Sequence, residues 1–264
     1  MKKCFALAIA FFIFCAFAMS ETGPQAAALS EADLQTMLKK MLRENPDLVL
    51  DVMRQNSEAV LDIAQQGSNL RRKHNLEAQW KEDLDKKKDV HLADRPVLGN
   101  PDAKVKIVAF SDFTCHYCAQ ASKTVDTLLK DYGDNVAFVF KHLPLDEKGP
   151  GGLASAWFAA IAQQNEDKAW DFYRAMYENR DKLLAEGEPF IRKTAQGLGL
   201  DMKKLQKDVQ SRKTREILSQ DQEDGQKLGV EGTPYFLVNN LVIRGALPLE
   251  LFRNAIDLAM ENAK

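Results

Sequence analysis

The sequence predicts an α/β fold that is preceded by a segment made of helices alone. Three features lead to this prediction: two apolar strand-like runs at 105–110 and 136–140 with a helical pattern between them, a block of helical patterns, and an apolar hairpin before a last helix. A helix between the first two strands pairs them in parallel with a right-handed crossover. The hairpin adds antiparallel strands.

Composition indicates a globular protein with one core of ordinary size and an appendage. Of its 264 residues, 45% are hydrophobic and 28% are charged. The formal net charge is −2, and no basic patch is interleaved with aromatic residues, so we expect no nucleic-acid partner. The aromatic residues of the helical block are expected in the core rather than around a cofactor, and we expect no cofactor.

Residues 1–18 have the pattern of a cleavable signal peptide. Two lysines precede an apolar run, and Ala16-Phe17-Ala18 matches the small-residue rule for a cleavage site. The apolar run is shorter than the ~20 residues that span a membrane. Cleavage leaves Cys115 and Cys118 as the only cysteines of the mature chain. We therefore expect a periplasmic or otherwise exported protein in an oxidising compartment.

Residues 19–64 predict a helical oligomerisation segment. Ser30 and Asp33 resemble a capping box, and Asn45-Pro46 is a second helix start. These helices share an apolar stripe, which consists of Leu34, Met37, Leu38, Met41, Leu42, Leu48, Val49, Val52, Met53, Val60, Leu61 and Ala64. An exposed patch of this size is unusual in soluble monomers. We therefore expect a homo-oligomer formed through residues 30–64.

Residues 65–95 are strongly polar and predict a charged helix exposed to solvent, or a linker. The main domain is expected over 96–264, with its core beginning near Pro96. A helical insertion is predicted at about 150–228. Asn239-Asn240 is predicted as the turn of the C-terminal hairpin.

The most informative stretch runs from 110 to 118 and carries two cysteines at the start of a helix. The pattern predicts Thr114 as the N-cap, so that Cys115 and Cys118 lie on one face, close enough to form a disulfide. Unpaired N–H groups and the helix dipole favour the Cys115 thiolate, and a protonated His116 would add to the effect.

Two other interpretations of the Cys-X-X-Cys pattern were weighed. A zinc site normally takes a second pair of Cys or His ligands, and no cysteine follows Cys118, so no metal site is expected. A structural disulfide that closes so short a loop constrains the unfolded chain little. Redox chemistry is the favoured interpretation.

The chain resembles the thioredoxin superfamily, and specifically its DsbA-like exported branch. The resemblance covers 96–264 and rests on the lead-in at 99–103, the motif at 110–118, the helical insertion, and Gly-Val-Glu-Gly-Thr-Pro at 229–234. It implies a thioredoxin fold with Cys115 as the exposed nucleophile and Cys118 as the buried resolving cysteine.

The same resemblance assigns further site residues. Thr233 and Pro234 would form a cis-proline loop beside the disulfide, with the Thr233 backbone free to pair with an extended substrate. His116 and Tyr117, between the cysteines, would set the redox poise, with Thr114 beside them. Residues 30–88 resemble the helical segments that precede some family members, including the trimeric suppressor-of-copper-sensitivity type.

One position departs from the family pattern. Many members carry a buried acid six residues before the first cysteine, and here that position is Ala109. Deprotonation of Cys118 then needs another base or water. Asp112 is nearer but is expected to face solvent, and Lys141 is expected to be a surface lysine at the end of a strand.

Three functions remain open from the sequence. The first is thiol–disulfide exchange on unfolded or misoxidised exported proteins, as an oligomeric isomerase or a monomeric oxidase, with an unidentified membrane redox partner. The second is a copper or zinc chaperone that binds metal through the Cys115 and Cys118 thiolates. The third is a non-enzymatic scaffold whose helices mediate assembly.

Overall fold

The computed structural model describes residues 30–263. The predicted signal peptide, 1–18, lies outside the described residues, as do residues 19–29 of the predicted helical segment. The chain divides into two compact units, with the division between Gln66 and Gly67. Each unit is considered by itself below.

The first unit consists of helices with exposed apolar side chains. It contains α1 (Glu31–Glu44), α2 (Pro46–Gln55) and the beginning of α3 (Ser57–Asp83). The predicted capping box is present, since the Ser30 side chain accepts a hydrogen bond from the Asp33 backbone N–H. No residue of α1 or α2 is buried. The large apolar side chains of α1 and α2 are exposed, with Met37 and Leu38 each 55% exposed.

The second unit is built on a five-stranded sheet. The strands are β1 (Val97–Gly99), β2 (Val105–Ser111), β3 (Val136–His142), β4 (Tyr235–Val238) and β5 (Leu241–Arg244). Their spatial order is β1-β3-β2-β4-β5. The central pair, β2 and β3, is parallel, and all other pairs are antiparallel. The predicted α/β class and the hairpin turn are confirmed, while the short edge strand β1 was not predicted.

Helices cover the sheet and form the insertion. They are α4 (His116–Tyr132), α5 (Pro150–Ala162), α6 (Glu166–Glu178), α7 (Arg180–Glu186), α8 (Glu188–Gly197), α9 (Met202–Val209), α10 (Arg212–Lys227) and α11 (Leu249–Asn262). The predicted insertion at 150–228 therefore corresponds to α5 through α10. An aromatic cluster joins it to the sheet, with the ring centroids of Phe140 on β3 and Tyr173 on α6 5.3 Å apart.

The expectation that the core begins near Pro96 is wrong. Helix α3 continues to Asp83, and Trp80 near its end is fully buried in the core of the second unit. The Trp80 indole N–H donates a 2.8 Å hydrogen bond to the Val242 carbonyl. Leu76, Trp80 and Leu84 recur at steps of four and pack on the same core. Three apolar residues within a strongly charged stretch are a weak signal, and the partner strand lies far along the chain.

Lys141 is buried in an ion cluster and is not the surface lysine that was expected. Its Nζ lies 2.8 Å from Asp221 Oδ1 and 2.7 Å from Asp224 Oδ2. Arg95 completes the cluster with a 2.8 Å contact to Asp221 Oδ1. Burial is the largest single influence and raises the pKa of Asp224. The hydrogen bonds from Lys141 and the His91 N–H, with the charges of Lys141 and Lys227, together outweigh burial, so the net pKa is lowered. The cluster ties α10 to the sheet.

Removal of one buried carboxylate from this cluster is expected to destabilise the fold strongly. Asp221→Ala leaves the buried charge of Arg95 without its carboxylate partner and that of Lys141 with Asp224 alone. The expected loss in the free energy of unfolding is roughly 3–5 kcal/mol. Glu216→Ala on the same helix is the control, because Glu216 pairs only with the exposed Arg212 and should change little. Urea unfolding of both variants makes the comparison, and equal midpoints would contradict the importance of the cluster.

Candidate active site

The loop between β2 and α4 is fixed by the carboxylate of Asp112. Asp112 is fully buried, so the expectation that it faces solvent is wrong. Its oxygens accept hydrogen bonds from the Thr114 N–H (2.8 Å), the Thr114 hydroxyl (2.9 Å) and the Leu145 N–H (2.9 Å). This pattern holds the loop in one conformation immediately before the two cysteines.

The start of α4 lies one residue later than predicted. Helix α4 begins at His116, and Cys115 rather than Thr114 is the N-cap residue. The Thr114 hydroxyl is engaged by Asp112 and caps nothing, so the N-cap prediction for Thr114 is wrong. Arg180, from α7, donates a 2.6 Å hydrogen bond to the Thr114 carbonyl and secures the loop from the insertion. No motif or spacing in the sequence marks Arg180 as a residue of this loop.

Cys115 is partly exposed and its thiolate is strongly favoured. A hydrogen bond from Cys118 is the largest influence, and together with the Thr233 side chain and the N–H groups of Cys118 and Tyr117 it outweighs partial burial. These contacts lower the pKa of Cys115 to about 5. When protonated, the same sulfur can donate to the Thr233 carbonyl, 3.5 Å away.

Cys118 has the opposite environment. It is 2% exposed, and burial followed by its hydrogen bond to Cys115 raises its pKa well above the usual value for a thiol. The two thiols therefore ionise in a defined order, with Cys115 first. Both are present as free thiols.

Thr233 and Pro234 lie directly opposite Cys115, joined by a cis peptide bond. Beside them is a cleft of about 320 Å³, lined by the loop at 229–235 together with Arg244 and Gly245. The structure thus brings three sequence-predicted residues together: Cys115, Thr233 and Pro234. Cys115 does not line the cleft itself and is linked to it through the 3.5 Å contact of its sulfur with the Thr233 carbonyl.

His116 and Tyr117 point outward from the first turn of α4. Their ring centroids are 5.7 Å apart, and Tyr117 is 60% exposed. A ring nitrogen of His116 lies 3.0 Å from the Gln120 side-chain amide. Both side chains are exposed, and their influence on the redox poise stays a prediction.

The structure excludes Lys141 as a base for Cys118. Successive side chains of β3 alternate between faces, and Lys141 lies against the Phe110 ring, 5.7 Å from its centroid. Phe110 belongs to the core cluster on the other side of the sheet from Cys118. Within residues 30–263 no group of three or more His, Cys, Asp or Glu residues is arranged to hold a metal ion.

Comparison with known proteins identifies the family. The thioredoxin family model Thioredoxin_4 matches residues 92–258, and the chain belongs to this family. The chain is 30% identical over 168 residues to the Na(+)/H(+) antiporter NhaA 3 of Salinispora tropica, a match that covers 64% of this chain and 25% of that protein. The chain thus spans about a quarter of the length of the curated relative.

Solved structures share the same fold. A thioredoxin-like oxidoreductase from Silicibacter pomeroyi DSS-3 is 31% identical with a TM-score of 0.57, covering 64% of this chain and 94% of that chain. Proteus mirabilis ScsC in a transitional conformation is 17% identical with a TM-score of 0.57, covering 88% of this chain and 97% of that chain. The predicted thioredoxin fold of the DsbA-like type is confirmed.

Throughout the described part of the chain, no helix is long and apolar enough to cross a membrane.

The hydrogen bond from Cys118 to Cys115 is expected to control the ionisation of Cys115. Cys118→Ala removes this donor and should raise the Cys115 pKa markedly above 5. Cys118→Ser retains a hydroxyl donor at the same place and should raise it less. Titration of thiolate absorbance against pH measures both variants, and identical midpoints would contradict the role given to Cys118.

Proposed function

We propose that this protein carries out thiol–disulfide exchange on exported proteins through Cys115 and Cys118. The observation that carries the proposal is the low pKa of Cys115, which lies at a helix start beside the substrate-sized cleft at Thr233 and Pro234. The Cys115 thiolate attacks a substrate disulfide, forms a mixed disulfide and releases one substrate thiolate. Cys118 then displaces the second substrate sulfur and closes the Cys115–Cys118 disulfide.

The substrates are proposed to be unfolded or misoxidised chains. The cleft beside Thr233 is open to an extended peptide, and the Thr233 backbone offers it a strand-like partner. Such recognition reads backbone rather than sequence, which suits a broad set of substrates. The proposed location is the periplasm or another exported compartment. A Salmonella enterica protein of the same fold is described as periplasmic and thioredoxin-like.

The direction of exchange has two candidates, each favoured by one observation. The low Cys115 pKa stabilises the reduced form, which makes a Cys115–Cys118 disulfide a good oxidant, so a monomeric dithiol oxidase is the alternative. Each oxidation leaves the pair reduced, and a membrane redox partner would then restore the disulfide.

The exposed stripe favours an oligomeric isomerase as the first candidate. Large apolar side chains along α1 and α2 are exposed in the single chain, and their exposed fractions lie between 41% for Leu42 and 60% for Val52. Burial against copies of the same segment removes this surface from water. Several Cys115 sites around a shared space can attack one substrate repeatedly, which is what rearrangement of wrong disulfides requires.

Loss of each cysteine should have a different consequence for activity. Cys115→Ser should abolish reduction of insulin disulfides, because the attacking thiolate is gone. Cys118→Ser should attack normally but accumulate a mixed disulfide with insulin, since the resolving sulfur is missing. Non-reducing electrophoresis distinguishes the two. A mixed disulfide on Cys115→Ser, or wild-type turnover by both variants, would contradict the proposal.

Charges placed in the apolar stripe should separate the oligomer. Leu34→Lys with Met41→Lys puts two charges on the stripe, while Ala32→Lys with Thr36→Lys adds the same charge on the opposite face of α1. Light scattering should give a multiple of the chain mass for the control and the monomer mass for the stripe variant. Reactivation of a scrambled disulfide substrate should fall severalfold only in the stripe variant. A wild-type chain at the monomer mass would instead favour the monomeric oxidase.

A further inference from the structure

Cys118 needs a group that stabilises its thiolate, and no carboxylate on the neighbouring strand β2 supplies one. Its sulfur is buried, burial holds its pKa high, and yet it must give up a proton to attack the mixed disulfide. On β2 the side chain of Ala109 is buried and apolar and supplies neither an acid nor a base. The question is therefore which group favours the Cys118 thiolate at the moment of attack.

Two buried hydroxyls stand next to Cys118. Ser111 follows Ala109 by two residues on β2, so its side chain leaves the same face of the sheet. The Asp112 backbone N–H and, after it, the Ser111 hydroxyl both act on the Cys118 sulfur to lower its pKa against the effect of burial. The Ser111 Oγ lies 3.0 Å from the hydroxyl oxygen of Tyr177 on α6. Tyr177 donates in turn to the Asp112 carbonyl at 3.3 Å. The result is a continuous chain from sulfur to backbone.

We propose that Ser111 and Tyr177 act as a reversible hydroxyl chain that stabilises the Cys118 thiolate while it resolves the mixed disulfide. The inference rests on the proposed thiol–disulfide exchange and deepens it. Ser111 touches the reacting sulfur and is the catalytic residue of the pair. Tyr177 acts through Ser111 and is a positioning residue, contributed by the helical insertion.

The hydroxyl chain can hydrogen-bond to Cys118 in its protonated and in its ionised state, because each hydroxyl can donate one hydrogen bond and also accept one. In the mixed disulfide Cys115 is no longer a thiolate, so the protonated Cys118 thiol can turn from Cys115 and donate to Ser111. Ser111 then donates to Tyr177, and Tyr177 donates to the Asp112 carbonyl. With Cys118 ionised, the Ser111 hydroxyl turns to donate to the sulfur and Tyr177 donates to Ser111. Hydrogen bonds to a charged group are the stronger kind, so the chain favours the ionised state.

The resolution step balances without a further reactant. Cys118 forms a bond to the Cys115 sulfur, and the bond from Cys115 to the substrate sulfur breaks. The substrate sulfur leaves with the electron pair of that bond and takes up the proton that Cys118 lost. No net proton remains on Ser111 or Tyr177.

Few other titratable groups face Cys118. Cys115 approaches it from the start of α4, and Asp112 from the loop, with its carboxylate occupied by Thr114 and Leu145. Tyr173, on α6, is buried close by. His142 is the register partner of Ser111 on β3, and burial lowers its pKa to about 4, so it is neutral at physiological pH.

The test follows a single turnover of the reduced full-length protein with oxidised glutathione. Acid quenching and mass spectrometry separate the first step, which forms the Cys115–glutathione adduct, from the second, in which Cys118 removes glutathione. Tyr177→Phe and Ser111→Ala should slow the second step by about tenfold or more, the scale of one hydrogen bond to a charged group. They should also move its pH midpoint upward, and leave the first step within about twofold of wild type.

Two further variants keep the inference falsifiable. Ser111→Thr retains a hydroxyl and should restore much of the rate that Ser111→Ala loses. Tyr173→Phe removes a hydroxyl from the same buried helix face and should leave the second step unchanged. Wild-type rates and pH profiles in Tyr177→Phe and Ser111→Ala, or equal slowing of both steps, would overturn the inference. A wild-type protein that never forms the glutathione adduct would overturn the proposed function itself.

Discussion

The site depends on the buried carboxylate of Asp112. It gathers three donors, two from Thr114 and one from the Leu145 backbone, and so fixes the chain between the central strand and helix α4. Because that loop is fixed, Cys115 stands at the helix start with unpaired N–H groups near its sulfur. The insertion secures the same loop from outside, through Arg180 on the Thr114 carbonyl and Tyr177 on the Asp112 carbonyl. The helical insertion is therefore part of the site.

The contrast between the two sulfurs follows from this arrangement. One turn of helix carries the chain from the edge of a cleft into the core, so Cys115 is partly exposed while Cys118 is 2% exposed. Solvent, backbone N–H groups and a neighbouring thiol favour charge on the first sulfur, and burial opposes charge on the second. Under the proposed function, this difference decides which sulfur meets the substrate and which one resolves.

Much of the fold was predictable because its signals are local. Apolar runs marked β2 and β3, and the spacing of Cys115 and Cys118 marked the start of a helix. The contacts that were missed are long-range and polar. Trp80 reaches Val242 across 162 positions, and Lys141 pairs with acids on α10. Asp112 looked like an exposed loop residue, because nothing in its neighbourhood in sequence shows that Leu145 will turn back toward it.

The two proposed activities, oxidation and isomerisation, depend on two separate properties of the chain: the redox pair and the exposed apolar stripe. The redox pair is complete within one copy of the second unit, whereas the exposed stripe of the first unit requires something to cover it. Oxidation needs only the redox pair, whereas isomerisation benefits from the redox pair and from the oligomer that the stripe would form. The ionisation order of the two cysteines is common to either activity and is therefore the central claim.

The most direct test of the wide separation between the two thiol pKa values, on which that order depends, is the reduction potential of the Cys115–Cys118 pair as a function of pH. If Cys115 ionises near pH 5 and Cys118 far above it, reduction takes up two protons below pH 5 and one above. The potential should then fall by about 59 mV per pH unit below that point and by about 30 mV per unit above it. A slope that stays near 59 mV per unit through pH 8 would show that both thiols remain protonated, and would contradict the account.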